Sequence, residues 1–308
     1  MPLLNKRDPK ERIAVRQFAG TAALKSQLSE PLRVAHLTDQ HFGRVTSDDL
    51  QWAAAQLTND HAPDLVVLTG DYVAHSLDYL GLMSEVIGSI DAPKVAVLGN
   101  HDHWAGARQV RGALERAGVD VLSNESAIYE LGAQRLQLVG LDDAYTGHAS
   151  AARALAKIDP TLPTLGLSHI AEEADKLWPH GVSLVLSGHT HSGQITVGDL
   201  HKWTLGKMGG HRYVHGLYGC RQAEKAEGAV YVSAGIGASV FGLRLGERGR
   251  PELAVFELGK DVADVEEHHD EQAPHPGRAP SLRKQESRVS AVHKKRRKRE
   301  RRLRRHDD

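Results

Sequence analysis

Apolar residues along this chain come in short unbroken runs. LRVAHLT (Leu32–Thr38), DLVVLTG (Asp64–Gly70) and KVAVLGN (Lys94–Asn100) have the pattern of strands inside a sheet covered on both faces. Between them, SDDLQWAAAQLTNDHA and SLDYLGLMSEVIGSI place their apolar residues at helical spacing. The first of these opens on Ser47, Asp48 and Asp49, a helix start. After Gly118 the tempo changes. VDVLSN, SAIYEL and QRLQLVGL follow one another closely through short turns, which predicts antiparallel pairing. TLPTLGLSH and GVSLVLSGH return to the first type, and QITVG, GAVYVSAG and PELAVFEL close the pattern. No internal repeat is visible. Two packed sheets with helices outside is the simplest architecture that buries all of these runs.

A chain of 308 residues has room for one large α/β domain or two small ones. Apolar periodicity stops around DEQAPHPGRAPS, where Pro, Gly and Ser take over. The expected organisation is an N-terminal extension at residues 1–30, a folded domain at 31–260 and a disordered basic tail at 261–308. Charge sharpens that division. Residues 283–308 hold thirteen Lys/Arg against four Asp/Glu, a net +9. From totals of 39 and 39 this leaves 26 bases and 35 acids elsewhere, a net −9. Blocks of like charge this dense do not build a core. A tail of this kind suits an anionic membrane surface or nucleic acid. The lone cysteine, Cys220, excludes a disulfide framework and reads as a small buried apolar residue. FAGTAAL is too short for a signal segment, and no run reaches membrane-spanning length. The expectation is a cytoplasmic protein, peripheral at the inner face of the membrane if the tail engages it. The sequence leaves the oligomeric state open.

The chemistry stands at the ends of the apolar runs. The first is followed by Asp39-Gln40-His41, the second by Gly70-Asp71 and the third by Gly99-Asn100-His101-Asp102. TLGL is followed by Ser168-His169, and SLVL by Ser187-Gly188-His189-Thr190-His191. Sites in open α/β sheets assemble at the carboxyl ends of strands. Carboxylate, carboxamide and imidazole donors without a thiolate suit hard or borderline divalent cations, not a finger-type zinc. Two such cations ~3.5–4 Å apart need a shared ligand, and Asp71 is the natural bridging carboxylate. Asp-x-His and His-x-His place both donors on one side of an extended segment. Glycines before Asp71, Asn100 and His189 allow a sharp turn there.

The same blocks, DQH, GD, GNHD, SH and GHTH in that order, resemble the calcineurin-like metallophosphoesterases over about Leu32 to Leu258. LTGDYV, GNHDHW, LVGLDD, LSGHTHSGQ and YVSAGIG resemble a bacterial single-domain subgroup of that family. Some of its members hydrolyse UDP-2,3-diacylglucosamine and others act on phospholipids. Gln40 departs from the usual first block, at a position that is not a ligand. Many relatives also carry an N-terminal membrane or export segment, and none is visible here.

The resemblance implies a four-layer α/β/β/α sandwich, two central mixed sheets flanked by helices. It implies one metal on Asp39, His41, Asp71 and His191, and another on Asp71, Asn100, His169 and His189, with Mn²⁺ favoured and Fe, Zn or Mg as alternatives. It implies a metal-bridging hydroxide as nucleophile, His101 as proton donor or charge stabiliser, and Asp102 as the carboxylate that holds the His101 ring. The expected activity is hydrolysis of a phosphodiester or pyrophosphate, on a lipid-linked or nucleotide-sugar substrate. The alternatives are a nucleic-acid or cyclic-nucleotide phosphodiesterase, and an inactive scaffold with this fold. Around the site, Trp104 reads as packing, His103 carries no assignment, and Asp142 and Asp143 either line the entrance or turn the chain. Arg212 and His215 are candidates for a loop at the mouth.

Overall fold

In the segment Leu65–Thr69, Leu65 and Val67 face one apolar cluster while Val66 and Leu68 face another, and all four are fully buried. Burial on both faces is what an unbroken apolar run requires. The computed structural model of the protein builds this arrangement in two sheets. It describes residues 8–191, 211–222, 227–238, 249–267 and 271–275, with residues 286–288, 290 and 294. The expected strand QITVG and most of the basic tail lie outside the described residues.

The strands are β1 (Ala14–Ala19), β2 (Leu32–Leu37), β3 (Leu65–Thr69), β4 (Lys94–Val97), β5 (Val119–Val121), β6 (Glu125–Leu131), β7 (Gln134–Gly140), β8 (Thr164–Leu167), β9 (Leu184–Ser187), β10 (Gly216–Gly219), β11 (Ala229–Val232) and β12 (Glu252–Leu258). The helices are α1 (Ala22–Gln27), α2 (Asp48–Asp60), α3 (Leu80–Gly88), α4 (Asn100–Ala105), α5 (Ala107–Arg116), α6 (Ala151–Ala154) and α7 (Ala174–Leu177). One six-stranded sheet runs β1-β12-β2-β3-β4-β5 and the other β10-β11-β9-β8-β7-β6. Both are mixed. β2 to β5 are parallel, as are β7, β8, β9 and β11, while β12 opposes β2, β10 opposes β11 and β6 opposes β7.

Three apolar layers fill the spaces between. Phe18, Val34, Val67, Val97, Leu138 and Leu186 belong to the core between the sheets. Met83, Val86, Val110 and Leu114 bring α3 and α5 onto the outside of the first sheet. Ala154, Ala174 and Leu177 bring α6 and α7 onto the second. The result is the expected α/β/β/α order. Each fully buried Val, Leu or Phe contributes ~1.5–3 kcal/mol of transfer free energy before entropy is charged against it.

Several expectations shift. Residues 1–30 are not wholly an extension. β1 pairs in parallel with β12 at the edge of the first sheet, and α1 follows it, capped by the Thr21 hydroxyl. The fold also passes residue 260, because Arg221 pairs with Glu267 and Glu271 and the Gln272 N–H donates to Leu217 O. β5 joins the first sheet in parallel, so only β6 and β7 form the antiparallel hairpin expected after Gly118. Cys220 is half-buried rather than buried.

The topology positions the site. Parallel strands put their carboxyl ends on one edge, so β2, β3 and β4 deliver Asp39 and His41, Asp71 and Asn100 together. In the second sheet β8 and β9 deliver His169 and His189. The two edges meet where Gly188 lies against Asp39.

Candidate metal centre

The ligating atoms of Asp39, His41, Asp71 and His191 all lie within 4.8 Å of one another, and so do those of Asp71, His169 and His189. Asp71 belongs to both groups, as a bridging carboxylate does. His41 Nε2 is 2.9 Å from His191 Nε2 and 3.6 Å from Asp71 Oδ2. His191 Nε2 is 3.2 Å from Asp39 Oδ1. On the other side His169 Nε2 is 3.4 Å from Asp71 Oδ2 and 3.3 Å from His189 Nδ1.

Backbone geometry brings these groups together. Asp39, His41, Asp71, His189 and His191 have φ between 46° and 76°, a left-handed region that side-chain-bearing residues seldom enter. Each costs ~1–3 kcal/mol unless the surroundings hold it there. The holding contacts are visible. Asp39 N–H donates to Gly70 O and His41 N–H to Asp71 O, each at 3.0 Å. Asp39 Oδ2 accepts from the Thr38 hydroxyl and from His189 N–H, each at 2.9 Å. Gly99 and Gly188 allow the close approach. A Cβ at Gly99 would stand 2.3 Å from Asp71 Oδ1, and one at Gly188 would stand 2.2 Å from Asp39 Oδ2. Gln40, the departure from the family block, is buried with its carbonyl anchored by the Gln51 amide.

Second contacts orient the rings. His169 Nδ1–H donates to Thr69 O at 2.7 Å, which turns Nε2 toward Asp71. Burial first, and then His191, push the His41 imidazole well below its ordinary pKa; burial and His169 do the same to His189. Both are therefore neutral rings with a lone pair to offer. At Asp71 burial opposes the charge, but His169 and His101 outweigh it and hold the carboxyl well below its usual range. At His169 burial also opposes the charge, but Asp71, then Asp39 and Asp143, raise it to about 10. Asp71 is thus a buried carboxylate held in its ionised form, the form that a divalent cation would take.

Asn100 gives a separate test of fit. Its side chain is buried and its Oδ1 accepts no hydrogen bond. A buried acceptor left unmet costs ~1–3 kcal/mol, and a hard cation beside His169 and His189 meets it. The residues present therefore fit a pair of divalent cations.

His101 lies beside the candidate ligands Asp71 and His41. Its Nδ1–H donates to Ala74 O at 2.5 Å and its backbone N–H to Asp71 Oδ1 at 2.8 Å. The ring lies edge-on to His41 with centroids 4.7 Å apart. Asp102 does not hold that ring. Its Oδ2 accepts from the N–H groups of Asp71 and Gly99, each at 2.9 Å, and its Oδ1 from Tyr72 at 2.9 Å and Val73 at 3.3 Å. Asp102 therefore fixes the turn that carries Asp71. Burial, then the nearby Asp71, push its carboxyl up to about 7.

The rim differs from the sequence reading in detail. His215 is buried and bonded to Glu252 at 2.9 Å, and Arg212 pairs with Asp175, so neither is placed at the metals. His211, from the same loop, is the one whose ring approaches a ligand, 5.6 Å from His189. Trp104 packs on His101 at 4.9 Å and Tyr145 at 5.8 Å, so it borders the site as well as filling space. Asp142 accepts from His103 and from Ser123, both at 2.7 Å, and Asp143 closes the turn to Thr146. Sequence reasoning passed over Tyr145, whose ring lies 5.2 Å from that of His189.

Fold and centre together define a metal-dependent phosphoric ester hydrolase, and comparison with known proteins agrees. The calcineurin-like phosphoesterase family profile matches residues 32–193, and the chain belongs to that family. It is 31% identical over 234 residues to Phosphodiesterase YaeI of Escherichia coli, spanning 74% of this chain and 82% of that protein. It is 29% identical to the uncharacterized metallophosphoesterase YkuE of Bacillus subtilis, spanning 73% of this chain and 76% of that one. Among solved structures, a 5'-nucleotidase precursor from Thermus thermophilus aligns with TM-score 0.47 and 19% identity, over 67% of this chain and 49% of that one. Among the described residues, no helix is long and apolar enough to cross a membrane.

Proposed function

We propose that the protein is a binuclear-metal phosphodiesterase, with Mn²⁺ as the preferred metal and a lipid-linked or nucleotide-sugar phosphoester, such as UDP-2,3-diacylglucosamine, as the substrate class. The observation that carries it is the sharing of Asp71 between two ligand groups. Two cations held there supply Lewis acidity toward a phosphoryl oxygen and acidify water. The chain's own residues do the rest. Asp71 is steered by the His101 N–H on Oδ1, which leaves Oδ2 toward His41 and His169. With Nδ1–H committed to Ala74 O, Nε2 is the atom of His101 that exchanges a proton with the leaving oxygen. The name of the Escherichia coli relative, a phosphodiesterase, supports diesters over monoesters. The basic cluster Lys294–Arg305 serves as an electrostatic tether to an anionic surface, each base contributing ~1 kcal/mol near a bilayer.

The test is hydrolysis of bis(p-nitrophenyl) phosphate against p-nitrophenyl phosphate with added Mn²⁺, followed by UDP-2,3-diacylglucosamine in micelles and single-stranded polynucleotide. Turnover of the diester and the micellar substrate is expected. Degradation of polynucleotide alone would move the assignment to a nuclease, and no turnover of any ester would refute it.

A further inference from the structure

The mouth of the centre holds one arginine that the reaction outlined above does not use. Tyr145 stands beside the metal ligands, its ring 5.2 Å from His189 and edge-on to Trp104. Its loop is pinned by N–H bonds from Tyr145 and Thr146 to Asp143. Over the Tyr145 ring lies the guanidinium of Arg288, with Cζ 3.9 Å from the ring centroid. Arg288 comes from the basic tail, more than a hundred positions along the chain. Two short steps, from guanidinium to tyrosine and from tyrosine to His189, connect the tail to the metals.

An arginine over an aromatic face is held by cation–π attraction. Its N–H groups radiate in the plane of the guanidinium and stay available to an acceptor. One of them is unmet. Arg288 Nε is shielded from solvent and donates no hydrogen bond. No carboxylate among the described residues pairs with the guanidinium. A shielded charged donor without an acceptor is costly, and an oxyanion is the partner that satisfies it best.

The geometry points to Arg288 as a substrate-binding residue. Stacked on Tyr145, it receives a second anionic group while the scissile phosphoryl lies at Asp71. The substrate class is then a pyrophosphate diester, or another phosphoester with an anion next to the reacting phosphorus, rather than a simple monoanionic diester. This rests on the phosphodiesterase reading and deepens it. It also gives the tail a task at the site itself, distinct from any surface it tethers to. Lysine would not serve equally, since it has neither the planar stack nor the fork of donors.

The test compares affinities for two non-hydrolysable probes by titration calorimetry on the full-length, Mn²⁺-loaded protein. Methylenediphosphonate carries two anionic groups and methylphosphonate carries one. The native protein is expected to prefer the diphosphonate. Arg288→Ala is expected to reduce that preference about ten- to a hundredfold, the range for one charge-assisted hydrogen bond. Arg288→Lys should restore only part of it. Arg288 lies outside all three apolar layers, so folding is not at stake. An unchanged preference in Arg288→Ala overturns the assignment. So does equal tightening of both probes, which would mean that the tail merely blocks the mouth. Hydrolysis of bis(p-nitrophenyl) phosphate is measured alongside. Turnover with an unchanged preference removes the anion clamp alone, whereas no turnover and no binding of either probe removes both readings.

Discussion

His36 makes the stability of this protein depend on pH near neutrality, and the effect can be sized. The residue sits in β2 with no solvent exposure, its Nε2 2.8 Å from the Thr69 hydroxyl. Burial outweighs the field of Glu252 and pushes the imidazole down to about 3. In the unfolded chain the same group titrates near 6.5. Below that value the unfolded state takes up a proton that the folded state refuses, so stability is full above about pH 6.5 and falls as the pH drops toward 3. At pH 5 the loss is about 2 kcal/mol, from ~1.5 pH units at 1.36 kcal/mol each. That figure needs only a folded-state pKa well below 5. The readout is urea unfolding at pH 7.5, 6 and 5 with chelator present, for the native protein and His36→Gln. Glutamine keeps a hydrogen-bonding group for Thr69 but does not titrate. The native protein should lose about 2 kcal/mol more than the variant between pH 7.5 and 5. Parallel pH slopes, within about 0.5 kcal/mol, would show that His36 is not buried neutral and would refute the reasoning. Thr69 meets both rings, His36 through its hydroxyl and His169 through its carbonyl.

Asp71→Asn should lose both cations together, read as metal per chain after gel filtration; two tightly held ions in the variant would contradict a bridging carboxylate. His101→Ala should keep both ions and lose ~10²–10⁴ in rate, with a smaller loss for esters whose leaving group is already acidic. An equal loss across leaving groups would assign His101 to charge stabilisation instead. Deleting residues 289–308, which spares Arg288, should abolish sedimentation with anionic vesicles at low salt and leave turnover of a chromogenic diester unchanged; a full-length protein that ignores vesicles but binds polynucleotide would reassign the tether.

The candidate ligands were legible because each follows an apolar run, and a strand that ends on Asp, Asn or His at a parallel edge has little structural reason to do so. Other elements were hidden by contacts that local composition does not carry. β1 was missed because Arg16 and Gln17 interrupt AVRQFA. Arg16 is nevertheless buried, paired with Glu252 at 2.7 Å, and its partner lies 236 positions further along the chain. The same carboxylate bonds His215, which is buried. The boundary near residue 260 failed for the same reason, since Glu267 and Glu271 look solvated until Arg221 is placed opposite them.

Asp102 failed through geometry, and the failure shows how the site is built. Adjacent residues on a helix point about 100° apart, so a carboxylate next to His101 in α4 has no reason to face its ring. Asp102 turns inward and collects the N–H groups of Gly99, Asp71, Tyr72 and Val73, which ties the end of β3 to the end of β4. That tie matters because Asp71 is one of five candidate ligands held at positive φ, among seven such non-glycine residues described. No sequence pattern announces that conformation at Asp or His. A residue in it relaxes unless something holds it, and here the holders are buried hydrogen bonds at Thr38, Gly70 and Asp102. Buried hydrogen bonds of the chain itself therefore hold the strained backbone in place. The same strained turns set Asp71 beside the rings of His41 and His169, so the cost of the conformation is met by the bonds that build the site.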